Sequence, residues 1–181
     1  MIDILNKAYH EKYDVMFTSV VPCNVYGPND NFKPGVSHVI PGMIYRLHEL
    51  IYVNNPELPQ DEKEFVVYGS GKPLRQFIYS LDLAKLFIWV MRSYKSVEPI
   101  ILSVDESAEV TIAELAESIA KAFNFKGKLV FDVSKADGQH KKTASNHKLR
   151  KLLPDFEFVD FDCAIKETVD WFLKHYEQAR K

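Results

Sequence analysis

The chain has 181 residues, 46% of them hydrophobic and 13% aromatic, with a formal net charge of −2. That composition supplies a packed core and excludes a disordered chain, while the near-neutral balance excludes a globally basic binder of nucleic acid or anionic lipid. Cys23 and Cys163 make no disulfide framework, the six histidines have no metal-ligand spacing, and the longest apolar run, residues 86–91, is too short to span a bilayer. With no signal-sequence pattern after Met1 either, the expectation is a soluble, cytoplasmic protein.

In chain order, Ile2, Leu5, Ala8 and Tyr9 predict a helix over residues 2–12, and the apolar run 16–21 predicts a buried parallel strand. Proline, glycine and asparagine make a loop through Gly35. Ser37 is then expected to cap a helix whose apolar side is Val39, Ile40, Met43, Ile44 and Leu47. Residues 51–62 read as a polar surface loop, 65–68 and 77–79 as short strands, and 81–93 as an apolar-rich helix. Residues 99–104 return to strand. Thr111 and Glu114 form a capping box for a helix to about residue 124. A strand over 128–132, a short helix over 145–152 and an amphipathic helix over 162–178 complete the chain. Strands alternating with helices give an α/β fold, without fixing the strand order.

Three stretches carry chemistry. Pro22-Cys23-Asn24-Val25-Tyr26-Gly27-Pro28 follows a strand end, where open parallel sheets place ligands, and the Asn24 amide can both donate and accept. The second runs from Tyr68 through Gly69, Gly71 and Lys72 to Arg75 and Asp82, reading as strand, glycine-rich turn, strand and helix start. The third is Asp137-Gly138-Gln-His-Lys-Lys142. Arg46 and Arg75, each able to make two parallel hydrogen bonds to a phosphate, and Lys142, a point charge, are candidate diphosphate contacts. Tyr68 and Lys72 have the spacing of a Tyr-x-x-x-Lys pair, but the glycines between them place it across a turn. None of the seven glycines forms a dinucleotide-binding fingerprint. The basic run over residues 141–151 lacks interleaved aromatics and reads as a solvated helix face, not a nucleic-acid contact.

Together these stretches resemble the substrate half of the extended short-chain dehydrogenases that act on nucleotide sugars. The wording Ser37-His38-Val39-Ile40-Pro41 and Asp137-to-Lys142 is similar to the branch that epimerises and reduces GDP-4-keto-6-deoxy-mannose to GDP-L-fucose. The resemblance implies the last elements of a Rossmann-type parallel sheet plus a small C-terminal α/β substrate-binding domain. It also implies NADP(H) as cofactor, and homodimers packed through helices that include residues 2–12. Pro22, Cys23, Asn24 and Val25 would then line the nicotinamide end of the cofactor, and His38 would also bind the cofactor. Arg46, Tyr68, Arg75, Asp137 and Lys142 would bind the GDP-sugar, Tyr68 standing where the family often has tryptophan. His38 would be the acid of the epimerisation, histidine being a residue type suited to proton delivery near neutrality. Its cysteine partner, the cofactor fingerprint and the catalytic Tyr-x-x-x-Lys pair are expected to precede this chain, leaving the 181 residues inactive alone. Two alternatives stay open: a non-catalytic nucleotide-sugar-binding or regulatory module, and a sister nucleotide-sugar epimerase or dehydratase.

Overall fold

The computed structural model describes residues 1–181. In chain order the elements are α1 (Ile2–Tyr13), β1 (Val20–Pro22), β2 (Asn24–Tyr26), α2 (Val39–His48), β3 (Glu64–Tyr68), β4 (Leu74–Arg75), β5 (Phe77–Tyr79) and α3 (Ser80–Ser93). There follow β6 (Ile100–Leu102), β7 (Val110–Thr111), α4 (Ile112–Ala122), β8 (Lys128–Asp132), β9 (Lys141–Lys142), α5 (His147–Leu152) and α6 (Phe161–Lys174). They form a mixed α/β fold in which the chain passes back and forth between two compact units.

The first unit comprises Met1–Val25, Gln76–Glu109 and Thr143–Phe158. Its parallel pair sets Val20 opposite Ile100 and Pro22 opposite Leu102, and β2 pairs with β5. Ile78, Leu86, Ile100, Leu102 and Leu149 form its buried centre. The Asp105 carboxylate receives Nε and Nη2 of Arg150 at 2.7 and 2.6 Å and Nδ2 of Asn146 at 2.8 Å, tying α5 to the segment after β6. The Arg150 bond is the main cause holding that carboxyl below the usual aspartate range. The strand expected over 16–21 is shorter and later, and Met16, Phe17 and Val21 are half exposed. β1 has β6 as its one partner strand, so in this chain it has an open edge.

The second unit comprises Tyr26–Arg75, Val110–Lys142 and Val159–Lys181. Here β3 and β8 run parallel over five residue pairs, from Glu64 opposite Lys128 to Tyr68 opposite Asp132. A second sheet has the order β7-β4-β9. Helices α2, α4 and α6 bury Ile44, Leu47, Leu115, Ile119, Ile165 and Phe172, and the Phe32 ring stacks on Phe172 with centroids 4.4 Å apart. The capping box opens α4 as its spacing predicts, with Thr111 Oγ1 accepting the Glu114 amide and the Glu114 carboxylate accepting the Thr111 amide.

Three local expectations change. Ser37 does not cap α2; its amide closes a turn on the Lys33 carbonyl, and His38 takes the cap position without a side-chain cap bond. Residues 51–62 are not wholly irregular, since α2 runs on into a π-helical turn over Glu49–Val53 and a 3-10 turn spans Gln60–Glu62. The buried Lys63 ammonium donates to the Leu50 and Ile51 carbonyls at 2.9 and 3.0 Å, which stabilises that widened helix end. The final helix stops at Lys174, where His175 Nδ1 lies 2.8 Å from the Trp171 carbonyl. Phe172→Ala removes the ring that packs on Phe32 and is expected to cost about 3–5 kcal/mol of stability. Urea denaturation checks this; a loss below about 1 kcal/mol would contradict that packing.

Candidate functional site

In the first unit, the residues expected at the cofactor end run from the last residue of β1 into β2. Pro22 and Asn24 are exposed, while Cys23 and Val25 are half-buried. Asn24 Nδ2 donates to the Gln76 carbonyl at 2.8 Å, which fixes the amide plane and leaves Oδ1 as an open acceptor. The sequence left that amide free to donate and accept; the fold uses one of its donors. Burial pushes the Cys23 thiol up, so it is no ready thiolate.

Gln76 is the residue that the motifs did not reveal. It is fully buried, and Nε2 donates to the carbonyls of Val104 and Ala144 at 2.9 and 3.0 Å. Oε1 accepts the Ala144 amide at 2.7 Å. A glutamine between two motif residues gives no signal by periodicity; its partners are revealed by the folded chain alone.

In the second unit, β4 places Arg75 opposite Lys142 of β9 and opposite Val110 of β7. In register on parallel strands, Arg75 and Lys142 share a face of the sheet. Arg75 Nη1 donates to the Leu74 carbonyl at 2.7 Å, and neither cation pairs with a carboxylate. Gly138 lies against the guanidinium, where a Cβ would come within 3.3 Å of Nη2.

The turn from β3 to β4 carries Gly69 and Gly71 at φ 89 and 76, a backbone region that favours glycine. Tyr68 and Lys72 therefore do not share a helix face. Asp137 pins this turn, Oδ1 accepting the Ser70 amide at 2.8 Å and Oδ2 the Ser70 hydroxyl at 2.6 Å. Those two bonds, the hydroxyl first, hold its carboxyl below the usual range. Tyr68 is 59% exposed, and the Arg46 guanidinium lies 4.5 Å from its ring centroid while donating to the Val66 carbonyl at 3.2 Å. The Tyr68 ring is thus exposed, with a cation held at its face.

His38 is exposed at the start of α2. In the same unit Asp30 accepts the Asn31 amide at 2.6 Å. Burial raises the Asp30 carboxyl, and the Asn31 bond, then His38 and Arg180, pull it back. The Asn29-Asp30-Asn31 triplet is a turn signal in the sequence. The two units thus carry separate groups of the expected residues: Pro22 to Val25 in the first, and His38, Arg46, Tyr68, Arg75, Asp137 and Lys142 in the second.

A model of the NAD dependent epimerase/dehydratase family matches residues 1–104. A probable GDP-L-fucose synthase of Drosophila melanogaster is 60% identical over 100% of this chain and 56% of its own length. The GDP-L-fucose synthase of Dictyostelium discoideum is 53% identical over 100% of this chain and 54% of its own length. A crystal structure of a GDP-L-fucose synthetase from Naegleria fowleri bound to NADP superposes with a TM-score of 0.91 at 48% identity, covering 100% of this chain and 56% of that one. The chain spans about half the length of the curated relatives it matches.

The pinned turn has a pH signature. The folded pKa of Asp137 is depressed, so its bonds to Ser70 are fully present above the ordinary aspartate range. They are lost as pH falls through the lower folded value. Hydrogen-exchange protection of the Ser70 amide is expected to follow that course, and Asp137→Ala is expected to abolish it at neutral pH.

Proposed function

We propose that this chain, which belongs to the NAD dependent epimerase/dehydratase family, is the sugar-nucleotide-binding part of a GDP-L-fucose synthase. The whole enzyme would epimerise GDP-4-keto-6-deoxy-D-mannose at C3 and C5 and reduce C4 with NADPH to give GDP-L-fucose, acting as a cytoplasmic homodimer. The observation that carries the reading is Arg75 held opposite Lys142 without an acidic partner. Such a pair calls for a multivalent anion, and a nucleoside diphosphate supplies two adjacent phosphates. Tyr68, with Arg46 against it, takes the nucleotide's planar end; Asp137 contacts the nucleotide sugar while keeping the glycine turn closed.

The residues after β1 fit the nicotinamide end of NADP(H). The Asn24 Oδ1 acceptor, fixed by the bond to Gln76, can receive a carboxamide N–H, and Pro22, Cys23 and Val25 flank it. Bound NADPH supplies the hydride for C4. His38 is the acid that delivers a proton to C3 and C5 after a base has removed one from the opposite face. With Tyr68 and Lys72 across a turn, the 181 residues alone carry no tyrosine–lysine pair for ketone reduction and turn over no keto-sugar.

Arg75→Ala is expected to weaken GDP binding by about 1.5–3 kcal/mol, roughly ten- to over a hundredfold. Calorimetry with a folded variant checks this, and unchanged affinity would reject the diphosphate assignment. In the whole enzyme, His38→Asn is expected to impair inversion by about 10²–10⁴-fold while C4 of uninverted sugar is still reduced. Product analysis by NMR in deuterated buffer separates the two, and a normal yield of fully inverted GDP-L-fucose would leave His38 a helix-start residue without that role.

A further inference from the structure

We infer that Gln76 is a positioning residue for the anion-binding pair, a side-chain clamp that keeps Arg75 opposite Lys142; this rests on the diphosphate reading of that pair. β4 and β9 are two residues long. So short a ladder has little to fix its register, and a slip of one residue would turn Arg75 or Lys142 to the other face. Immediately after Arg75, the Gln76 side chain takes hold of Ala144, two residues beyond Lys142. It accepts the Ala144 amide at 2.7 Å and donates to the Ala144 carbonyl at 3.0 Å. An amide side chain here copies the donor and acceptor of a strand residue and prolongs the hold on the β9 strand where the ladder ends.

The same amide also donates to the Val104 carbonyl at 2.9 Å, so the grip is anchored at the end of the β6 segment as well as on the chain leaving β9. Full burial keeps water from competing for these bonds. On the other side of Arg75, the Leu74 amide donates to the His140 carbonyl at 2.8 Å, so the short ladder is held at both ends. Gln76 forms none of the bonds expected with the ligand. It acts through the two cations, and its main-chain carbonyl, which receives Asn24 Nδ2, is untouched by changing the side chain.

The test uses the full 181-residue chain, with GDP and guanosine as probes in parallel titrations. Gln76→Met keeps the volume and removes both the donor and the acceptor. It is expected to weaken GDP roughly tenfold or more, with guanosine affinity unchanged, because the Tyr68 platform does not depend on the clamp. Adding Arg75→Ala to Gln76→Met is expected to cost little more than either change alone, as for residues acting through one contact. Equal loss of GDP and guanosine affinity would make Gln76 a general structural residue and overturn the inference. Additive losses, or normal GDP binding by Gln76→Met where Arg75→Ala is impaired, would overturn the clamp alone. Normal GDP binding by Arg75→Ala would overturn the diphosphate reading and the clamp with it. Should Gln76→Met fail to fold, hydrogen exchange in the unaltered chain decides the matter. The Ala144 amide is expected to be protected and to gain protection on adding GDP, and exchange at the rate of an exposed loop would overturn the clamp.

Discussion

Like charges placed directly opposite on adjacent strands destabilise a sheet, yet this chain sets Arg75 against Lys142 and puts no carboxylate between them. Under the proposed diphosphate reading, an anion sitting across both cations would supply the missing counter-charge. The neighbouring features serve the same end. Gly138 leaves room for the guanidinium, Asp137 uses both carboxylate oxygens to close the Gly69–Gly71 turn ahead of β4, and Gln76 grips the chain after β9. Two cations in register with no acidic partner suit a multivalent anion better than a lone surface arginine does.

The first unit solves a different problem, that of presenting a polar edge from a short parallel pair. The Asn24 amide is not a free hydrogen-bonding group; with one donor bound to the Gln76 carbonyl, its plane is set before any ligand arrives. Preorganised acceptors cost less to use than ones that must be ordered on binding. Asp105, held by Arg150 and Asn146, stiffens the segment after β6, whose Val104 carbonyl also receives Gln76. Burial keeps the Cys23 thiol protonated within this framework, so its contribution is shape and polarity.

Much of the secondary structure was legible because its signals are local. The capping box at Thr111 and Glu114 and the 128–132 strand fall where the sequence places them, and α6 begins within one residue of its expected start. What was not legible depends on distant partners. Which residue caps α2 is decided by the turn that Ser37 closes on Lys33, and the continuation of that helix by the buried Lys63 ammonium. The β7-β4-β9 order could not be read because strands of two residues carry no periodicity. Arg75 and Lys142 were each visible as candidate anion contacts, but their pairing came from the ladder, and Gln76 and Asp30 acquired meaning through their neighbours.

The most direct test of nucleoside-diphosphate binding by this chain is an amide NMR map of the 181 residues titrated with GDP. Shifts are expected to saturate and to centre on Tyr68 to Arg75, Asp137 to Lys142 and the Ala144 amide, with the core of α6 unmoved. No saturable shift, or shifts that avoid the β4 and β9 residues, would contradict an anion site built on Arg75 and Lys142.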